Sequence, residues 1–585
     1  MPCCDKNFLY LNTSCYHNDD EIGGLHASVK DLPDETMIAK VVQRNNPKRS
    51  TDSLYSAITG IDLRFWKRSH RSFPPYDPLM HGPLIEYSVP DGYMEIERYW
   101  VNEPYSFISI LKKKDVNYFH VVEPALTTYE KELLEILYDD LKDLLTLGKM
   151  VKREKKLEVL TDHVLQLFKR YHADLDIPSM YRIMYYLERN FMGEGRINSL
   201  LMDPFIEDIS CDGPNIPVFL YHAKYRNIMT NIVYEERELN SMVIRLCQKS
   251  GKHISIGEPL VDATLPDGSR LQATLGKEIT TRGSSFTIRK FRGDPITPID
   301  LINYNTCTVE MMAYFWLAME NGNSALFAGG TASGKTSMLN AVSLFIPPLS
   351  KVVSIEDTRE LMLHHDNWIA GVTREAISFS DRGEISMYDL LRSALRQRPE
   401  YILVGEVRGE EALTLFQAIS TGHATYSTIH AGDVQAVVSR LNSEPLNVPR
   451  VMLHSLDIMT IQLLTFVDNE KVRRTESVVE LTDMDSVTGE LLVNELYKWD
   501  PLADTFRRSG ESHALKMVMQ ARGWNQEKLE QEMTNRKIIL EYMSRKQMRD
   551  YVSVSLVVQA YSANPAMVLD AIKSDTLQDM ISQNI

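Results

Sequence analysis

The stretch "LFAGGTASGKTSMLNA", Leu326–Ala341, decides the fold. It holds Gly329, Gly334, Lys335 and Thr336 in the spacing G-x-x-x-x-G-K-T. The apolar run "SALFA" around its start reads as a buried strand. Lys335 to about Phe345 reads as a helix, stopped by Pro347 and Pro348. Strand, glycine-rich turn and helix is the context in which this spacing cradles phosphate. The glycines let backbone N–H groups close around a β-phosphate, and the helix N-terminus adds partial positive charge. Lys335 is placed for the β- and γ-phosphates and the Thr336 hydroxyl for Mg²⁺. The candidate phosphate site is therefore Gly329, Gly330, Thr331, Ala332, Ser333, Gly334, Lys335, Thr336 and Ser337.

Outward from this loop, residues 300–514 alternate helix with apolar strand, as a parallel α/β domain does. A phosphate loop needs acidic partners for Mg²⁺ and water at nearby strand ends. "KVVSIEDTRE" is a strand ending in Glu356 and Asp357, and "EYILVGEVRG" is a strand ending in Glu406. In most phosphate-loop ATPases the second acidic strand closes with Asp; here Gly405 takes that position and Glu406 remains. A third stretch, "STGHATYSTIHAGD", puts His423 and His430 on either side of a β-branched run. Such a pair can be structural, or can sense a γ-phosphate by hydrogen bonding. A two-histidine metal site fits poorly, since the spacing does not share one helical face and no third ligand is evident.

Before the loop, residues 1–80 are polar and irregular and are expected to be poorly ordered. Residues 81–184 hold alternating runs such as "YMEIERYWV" and "YSFISILKKK", which predict strands. They also hold "LTTYEKELLEILYDDLKDLL", where Thr127 and Glu130 form a capping box. Leu133, Leu134, Leu137, Leu141 and Leu144 make its stripe. The basic cluster Lys149, Lys152, Arg153, Lys155 and Lys156 follows. It is a solvated helix face or a dock for an anionic membrane surface or partner. Residues 185–292 read as a compact α+β domain, with "PVFLYHAKY", "SRLQATL" and "SSFTIRKF" as strands and "RELNSMVIRLCQKSG" as a helix. The Pro- and Gly-punctuated "RGDPITPID", Arg292 to Asp300, predicts a hinge linker over 293–299, and residues 515–585 read as helical.

The chain has 585 residues and 79 acidic against 64 basic side chains. That balance disfavours nucleic acid as the main partner, because such binding rests on phosphate neutralisation. Six scattered cysteines without C-x-x-C spacing fit reduced thiols in a cytosol rather than a zinc site. No run of 18 apolar residues predicts a spanning helix, and the N-terminus lacks the pattern of a signal peptide.

In order, "GGTASGKTS", "SIEDTREL", "YILVGEVRG" and "TGHATYSTIHA" look like the Walker A, Asp box, Walker B and His box of type II/type IV secretion ATPases. The Gly405–Glu406 pair matches that family, as does "LRSALRQRPEY". "DPFIEDISCDGPNIPVFLYH", "HHDNWIAG" and "LLVNELYKWDPLADTF" resemble its archaeal branch of pilus-assembly, secretion and archaellum motor ATPases. The resemblance covers roughly residues 85–585. It implies a RecA-like ATPase domain, a smaller N-terminal domain that closes over ATP, and a hexameric ring acting on a polytopic membrane platform protein. Localisation would then be cytoplasmic, peripheral at the inner face of the membrane.

Phosphate-loop ATPases are usually completed by an arginine that neutralises transition-state charge. "LPDGSRLQ" and "TIRKF" offer Arg270 and Arg289, which resemble the family's arginine-finger positions and could otherwise be surface arginines. The expected division of labour follows. Lys335 and Thr336 hold phosphates and Mg²⁺. Glu356 orients or deprotonates water, and Glu406 assists the metal or water network. Arg270 and Arg289 close the site, and His423 and His430 couple the γ-phosphate to neighbouring elements. A hexameric DNA translocase is the alternative, disfavoured by the acidic balance and the lack of a basic-aromatic track.

Overall fold

The computed structural model describes residues 73, 75–146, 153–291, 293–374, 383–484 and 491–582. Among them two compact units form: one from the residues up to Gly82 together with 126–188, the other from 83–125 together with 189–582.

The first unit is helical, with helices Thr128–Thr146 and Arg153–Arg170 and most of Ile177–Phe191. The predicted capping box is present. The Thr127 N–H donates to Glu130 Oε2 at 2.7 Å and the Glu130 N–H to Thr127 Oγ1 at 3.2 Å. Glu130 is buried and is balanced by Arg182, 2.7 Å from its Oε1. Leu133, Leu137 and Leu141 face inward as the stripe requires. Most of the expected basic cluster (Lys149, Lys152 and the side chains of Arg153 and Lys155) lies outside the described residues, as does nearly all of 1–80.

The second unit is built on two nine-stranded sheets. The first contains β1 (Met94–Asn102), β2 (Ser106–Lys113), β3 (Val116–Val122), β4 (Ile206–Cys211), β5 (Pro217–His222), β6 (Arg226–Val233), β7 (Leu260–Thr264), β8 (Arg270–Thr274) and β9 (Ser285–Arg289). Its order is β1-β2-β3-β6-β5-β4-β9-β8-β7. A unit boundary falls between Glu188 and Arg189, close to the expected one near 185, but the expected grouping of 94–122 with the helices before it is corrected. The strands of 94–122 do not form a separate docking region but continue the sheet of the next domain, through a parallel pairing of Tyr118 with Met229 and Phe119 with Thr230. Asn231 extends the junction: its side-chain amide accepts from the Val121 N–H and donates to the Val121 carbonyl, at 2.9 and 3.0 Å. The helix Glu236–Lys249 buries Leu239, Met242, Val243 and Leu246 against this sheet, in a core with Ile209, Leu271 and Ile288.

The second sheet contains β10 (Ala325–Gly329), β11 (Val352–Glu356), β12 (Trp368–Val372), β13 (Tyr401–Val404), β14 (Ala424–His430), β15 (Ile458–Val467), β16 (Glu470–Met484), β17 (Leu491–Asp500) and β18 (Thr505–Arg508). Its order is β12-β11-β13-β14-β10-β15-β16-β17-β18, parallel from β12 to β15 and antiparallel beyond. β10 shows why the apolar runs are continuous. Ala325 and Phe327 belong to the core on one face and Leu326 and Ala328 to the core on the other. Helices cover both faces, as in a parallel sheet. The helices Gln526–Arg545 and Tyr551–Ala563 belong to the core around Met311, Trp316 and Phe345, so the C-terminal helices are part of this domain and not a separate region. Arg536 is the bolt. It is buried, with its guanidinium over the rings of both Trp316 and Tyr561, and is paired with Glu320 and Glu532 at 2.6 and 2.7 Å.

The predicted hinge leads into the helix Pro298–Asn303, capped reciprocally by Thr297 and Asp300; Arg292 lies outside the described residues.

Candidate active site

Parallel strands bring their carboxyl ends to one edge, and ligands of open α/β sheets bind there. β10 lies between β14 and β15, in register Gly329 with His430 and with Gln462. β13 and β11 follow, with Val404 beside Ser427 and Ile355 beside Val404. The phosphate loop, His430, Glu406 and Glu356 therefore meet at one edge because their strands stop together.

The loop joins β10 to the helix Lys335–Ser343. Gly334 caps that helix at φ +96°, a left-handed conformation that favours glycine. At Gly329, φ +154°, an added Cβ would lie 2.3 Å from the Gln462 carbonyl oxygen and 2.5 Å from Ser333 Oγ, so only glycine fits. Three donors converge on the Gly330 carbonyl: Lys335 Nζ and Ser333 Oγ at 2.9 Å, and the Ser333 N–H at 3.4 Å. This is a donor set suited to phosphate oxygens. Lys335 is buried, and desolvation holds its ammonium below the ordinary lysine range while Glu406 opposes the shift.

Glu356 is buried at the end of β11. Its Oε1 accepts from the backbone N–H groups of Glu360 and Leu361 at 2.8 and 2.9 Å. Its Oε2 has no partner. Burial outweighs those two bonds and pushes the carboxyl up to about 7. Glu406 differs. Desolvation raises it, but the hydrogen bond and charge of Arg408, with the charges of His430 and Lys335 behind them, turn the net shift downward. Arg408 Nη2 donates to Glu406 Oε2 at 2.6 Å and Nη1 reaches Asp357 at 3.4 Å. Glu406 Oε1 is buried without a well-directed hydrogen bond. The Gly405 substitution for Asp now has a physical reason. A Cβ at Gly405 would sit 3.2 Å from Glu356 Cγ, so glycine lets the two acidic strand ends close up.

His430 Nδ1 is 3.3 Å from Lys335 Nζ, and Nε2 is 3.2 Å from Glu406 Oε1. The tautomer consistent with both carries its proton on Nε2. Desolvation, with Lys335 second, keeps the imidazole below its usual range and so neutral near pH 7. His423 is not part of this chain's site. It precedes β14, whose seven residues end at His430, so about 20 Å of strand separates the two. Its Nδ1 lies against the Ala418 carbonyl at the end of the preceding helix and Thr421 Oγ1. The two histidines expected to act together are therefore apart within the chain, and of the two only His430 stands beside Lys335 and Glu406.

One cleft is lined by Thr336, Glu356, Asp357, Gly405, Glu406 and Arg408, and also by Arg270 from the first sheet. Arg289 does not line it, but stands directly opposite Arg270 on the adjacent antiparallel strand. Both are exposed; Arg289 has Asp208 directly opposite it on β4, close enough for their charges to interact, whereas Arg270 makes no ion pair among the described residues. Like charges directly opposite on a sheet repel. Arg270, flanked on its other side by Thr264, is the member of the pair suited to an anion. Sequence reasoning missed Arg408 as a site residue, though it stands in the quoted "EVRG". Arg473, which donates to the Ala332 carbonyl, gave no signal because it lies on a distant strand.

A family model described as Type II/IV secretion system protein matches residues 223–574. The chain belongs to the type II/IV secretion ATPase family. The match spans the phosphate loop, both acids, both arginines and the C-terminal helices as far as residue 574. A second model, PilB3-like N-terminal, matches residues 62–125, which include β1–β3. Two relatives are uncharacterized proteins of Methanocaldococcus jannaschii. One is 36% identical over 65% of this chain and 69% of its own length. The other is 48% identical over 41% of this chain and 88% of its own. Among solved structures, the VirB11 ATPase of the Brucella suis type IV secretion system is 23% identical over 47% of this chain and 89% of its own, with a TM-score of 0.25. Among the described residues no helix is long and apolar enough to cross a membrane.

Proposed function

We propose that this chain hydrolyses ATP at the β10–β14 edge and converts the cycle into movement of its first sheet against its second, powering assembly of a pilus-like filament or secretion through a membrane platform protein. The observation that carries this is Arg270, a residue of the first sheet that lines the same cleft as Thr336, Glu356 and Glu406. A charge on the γ-phosphate that draws in Arg270 links hydrolysis to the position of the sheet that bears it.

The residues present fit Mg·ATP. The loop offers converging donors, the buried Glu356 Oε2 has no hydrogen-bond partner among the described residues, and the buried Glu406 Oε1 faces only His430 Nε2, without a well-directed bond. Thr336 and Glu406 would hold Mg²⁺, which supplies charge neutralisation of the phosphates. Glu356, with a carboxyl near 7, accepts the proton of the attacking water as it is deprotonated. Lys335 shifts from the Gly330 carbonyl to phosphate. Arg270, backed by Arg289, stabilises charge on the transferred group. His430 bridges Lys335 and Glu406 and reports the state of one to the other. A homohexamer, with attachment to the cytoplasmic face through a platform protein or an anionic surface, completes the reading and follows the family resemblance.

The test uses the full chain. Dyes on the first sheet and on the helix Gln526–Arg545 should change separation on adding a non-hydrolysable ATP analogue, and the change should be absent in Arg270→Ala. Turnover with no such change would sink the coupling, and absence of turnover would sink the enzyme.

A further inference from the structure

β16 carries two adjacent arginines with different fates. Arg474 is buried and paired with Asp504 at 2.7 Å. Arg473 reaches the other way. Its Nε donates to the Ala332 carbonyl of the phosphate loop at 2.9 Å, and its Cδ would be 3.3 Å from a Cβ built at Gly334. Among the described residues no carboxylate pairs with it.

Ala332 needs such a hold. Its φ is +60°, the left-handed region where a side chain is penalised. The peptide joining Ala332 to Ser333 is planar and trans, so its carbonyl and its N–H point in opposite directions. Arg473 fixes the carbonyl outward. The Ser333 N–H is thereby turned into the loop, toward the point where Lys335 Nζ and Ser333 Oγ also converge. A loop free to flip this peptide would present a carbonyl oxygen to phosphate, which repels it.

The same strand is held from the first sheet. Arg226 Nη2 donates to the Lys471 carbonyl at 3.2 Å, two residues from Arg473. Lys471–Arg473 thus joins the first sheet to the phosphate loop by a route separate from the cleft.

We propose that Arg473 is a positioning residue that holds the phosphate loop in its anion-accepting conformation through the Ala332 carbonyl, with Arg226 anchoring the strand that bears it. The proposal rests on the loop being the ATP site.

MgADP titrated calorimetrically into the full chain tests binding without requiring turnover, and steady-state ATP hydrolysis gives KM and kcat. Arg473→Ala should raise both the Kd for MgADP and the KM for ATP about 10-fold, the scale of one hydrogen bond from a charged donor. Its kcat should change less than its KM. Arg473→Lys, which can still donate to one carbonyl, should recover most of the affinity. The unfolding temperature of Arg473→Ala without nucleotide should match wild type, because the contact lies at the surface. Arg226→Ala should raise the Kd by about 2-fold, less than loss of the direct contact, and add nothing in an Arg473→Ala background. Several outcomes overturn the proposal: a Kd within 2-fold of wild type in Arg473→Ala, a loss of stability with no loss of affinity, or no recovery with lysine. Additive effects of the two arginines overturn the anchoring by Arg226. Wild-type protein that binds no MgADP would sink the ATP-site reading and this proposal together, whereas equal binding by wild type and Arg473→Ala sinks this one alone.

Discussion

The two sheets of the larger unit have equal strand number and opposite habits. In the second sheet β10, β11 and β13 are buried along their whole length on both faces. Side chains there can only pack, so chemistry is pushed to the strand ends, where Gly329, Glu356 and Glu406 follow directly in sequence. In the first sheet β6, β8 and β9 alternate buried with exposed residues. One face is open, and single residues on it can work. Arg270 and Arg289 are such residues, set side by side by pairing and not by sequence. A buried sheet writes its site as contiguous motifs, and a half-open sheet writes it as isolated side chains.

The largest effects should fall at the strand ends. Lys335→Ala should abolish hydrolysis and weaken nucleotide binding, because it removes the fixed cation of the loop; full turnover would break the comparison outright. Arg270→Ala should lower kcat by about 10³-fold, the scale of a lost transition-state arginine. Because Arg270 lines the cleft of its own chain, mixed rings of Lys335→Ala and Arg270→Ala chains should recover no activity. Recovery would place the working arginine on a neighbouring subunit. Glu356→Gln should bind nucleotide yet lose about 10²-fold in turnover, the scale of a lost general base. If Glu406→Gln alone shows that loss, the roles of the acids are reversed.

The raised carboxyl of Glu356 adds a pH signature. Its ionised form is needed for proton acceptance, so kcat/KM should rise with pH through about 7. The sign for stability is opposite. A carboxyl whose folded value lies above its unfolded one stabilises the protein at low pH and loses that contribution as pH rises through about 7. Glu356→Gln should flatten both profiles, measured as turnover and as unfolding temperature from pH 5 to 8. Gly405→Ala should be milder than the loss of Glu356. The new Cβ must displace Glu356, and a small misplacement of a catalytic group costs about 10-fold or more in turnover.

What could be read in advance follows the same division. The loop, the two acidic strand ends and the strand–helix alternation were legible because each is local. Gly405 was legible as an oddity, but its reason, contact with Glu356 on the neighbouring strand, needed the sheet. His423 was misplaced because two histidines close in sequence sit at opposite ends of an extended strand. The boundary near 185 lies close to the observed one, but the grouping of 94–122 with the helices before it failed for a topological reason. β3 pairs with β6 across a long helical insertion, and no local pattern records a parallel partner so far away. The C-terminal helices read correctly as helices. Their place in the ATPase core rests on long-range packing, such as Arg536 over the Trp316 ring, between segments more than 200 residues apart.

The smallest effect tests that grouping. If β1–β3 belong to the sheet that carries Arg270, their junction should affect the stability of that sheet and not only of the residues before 126. Asn231 is the place to cut. Its amide makes two hydrogen bonds to the Val121 backbone where the regular β3–β6 pairing ends. Asn231→Ala removes both and leaves the polar groups of the buried Val121 without these partners, a cost of about 1–3 kcal/mol. Hydrogen exchange reads the consequence. Amides of 116–122 and of 226–233 should lose protection together, while those of β10 and β13 stay unchanged. Loss confined to 116–122 would mean that β1–β3 are an appendage after all, separate from the sheet that carries Arg270.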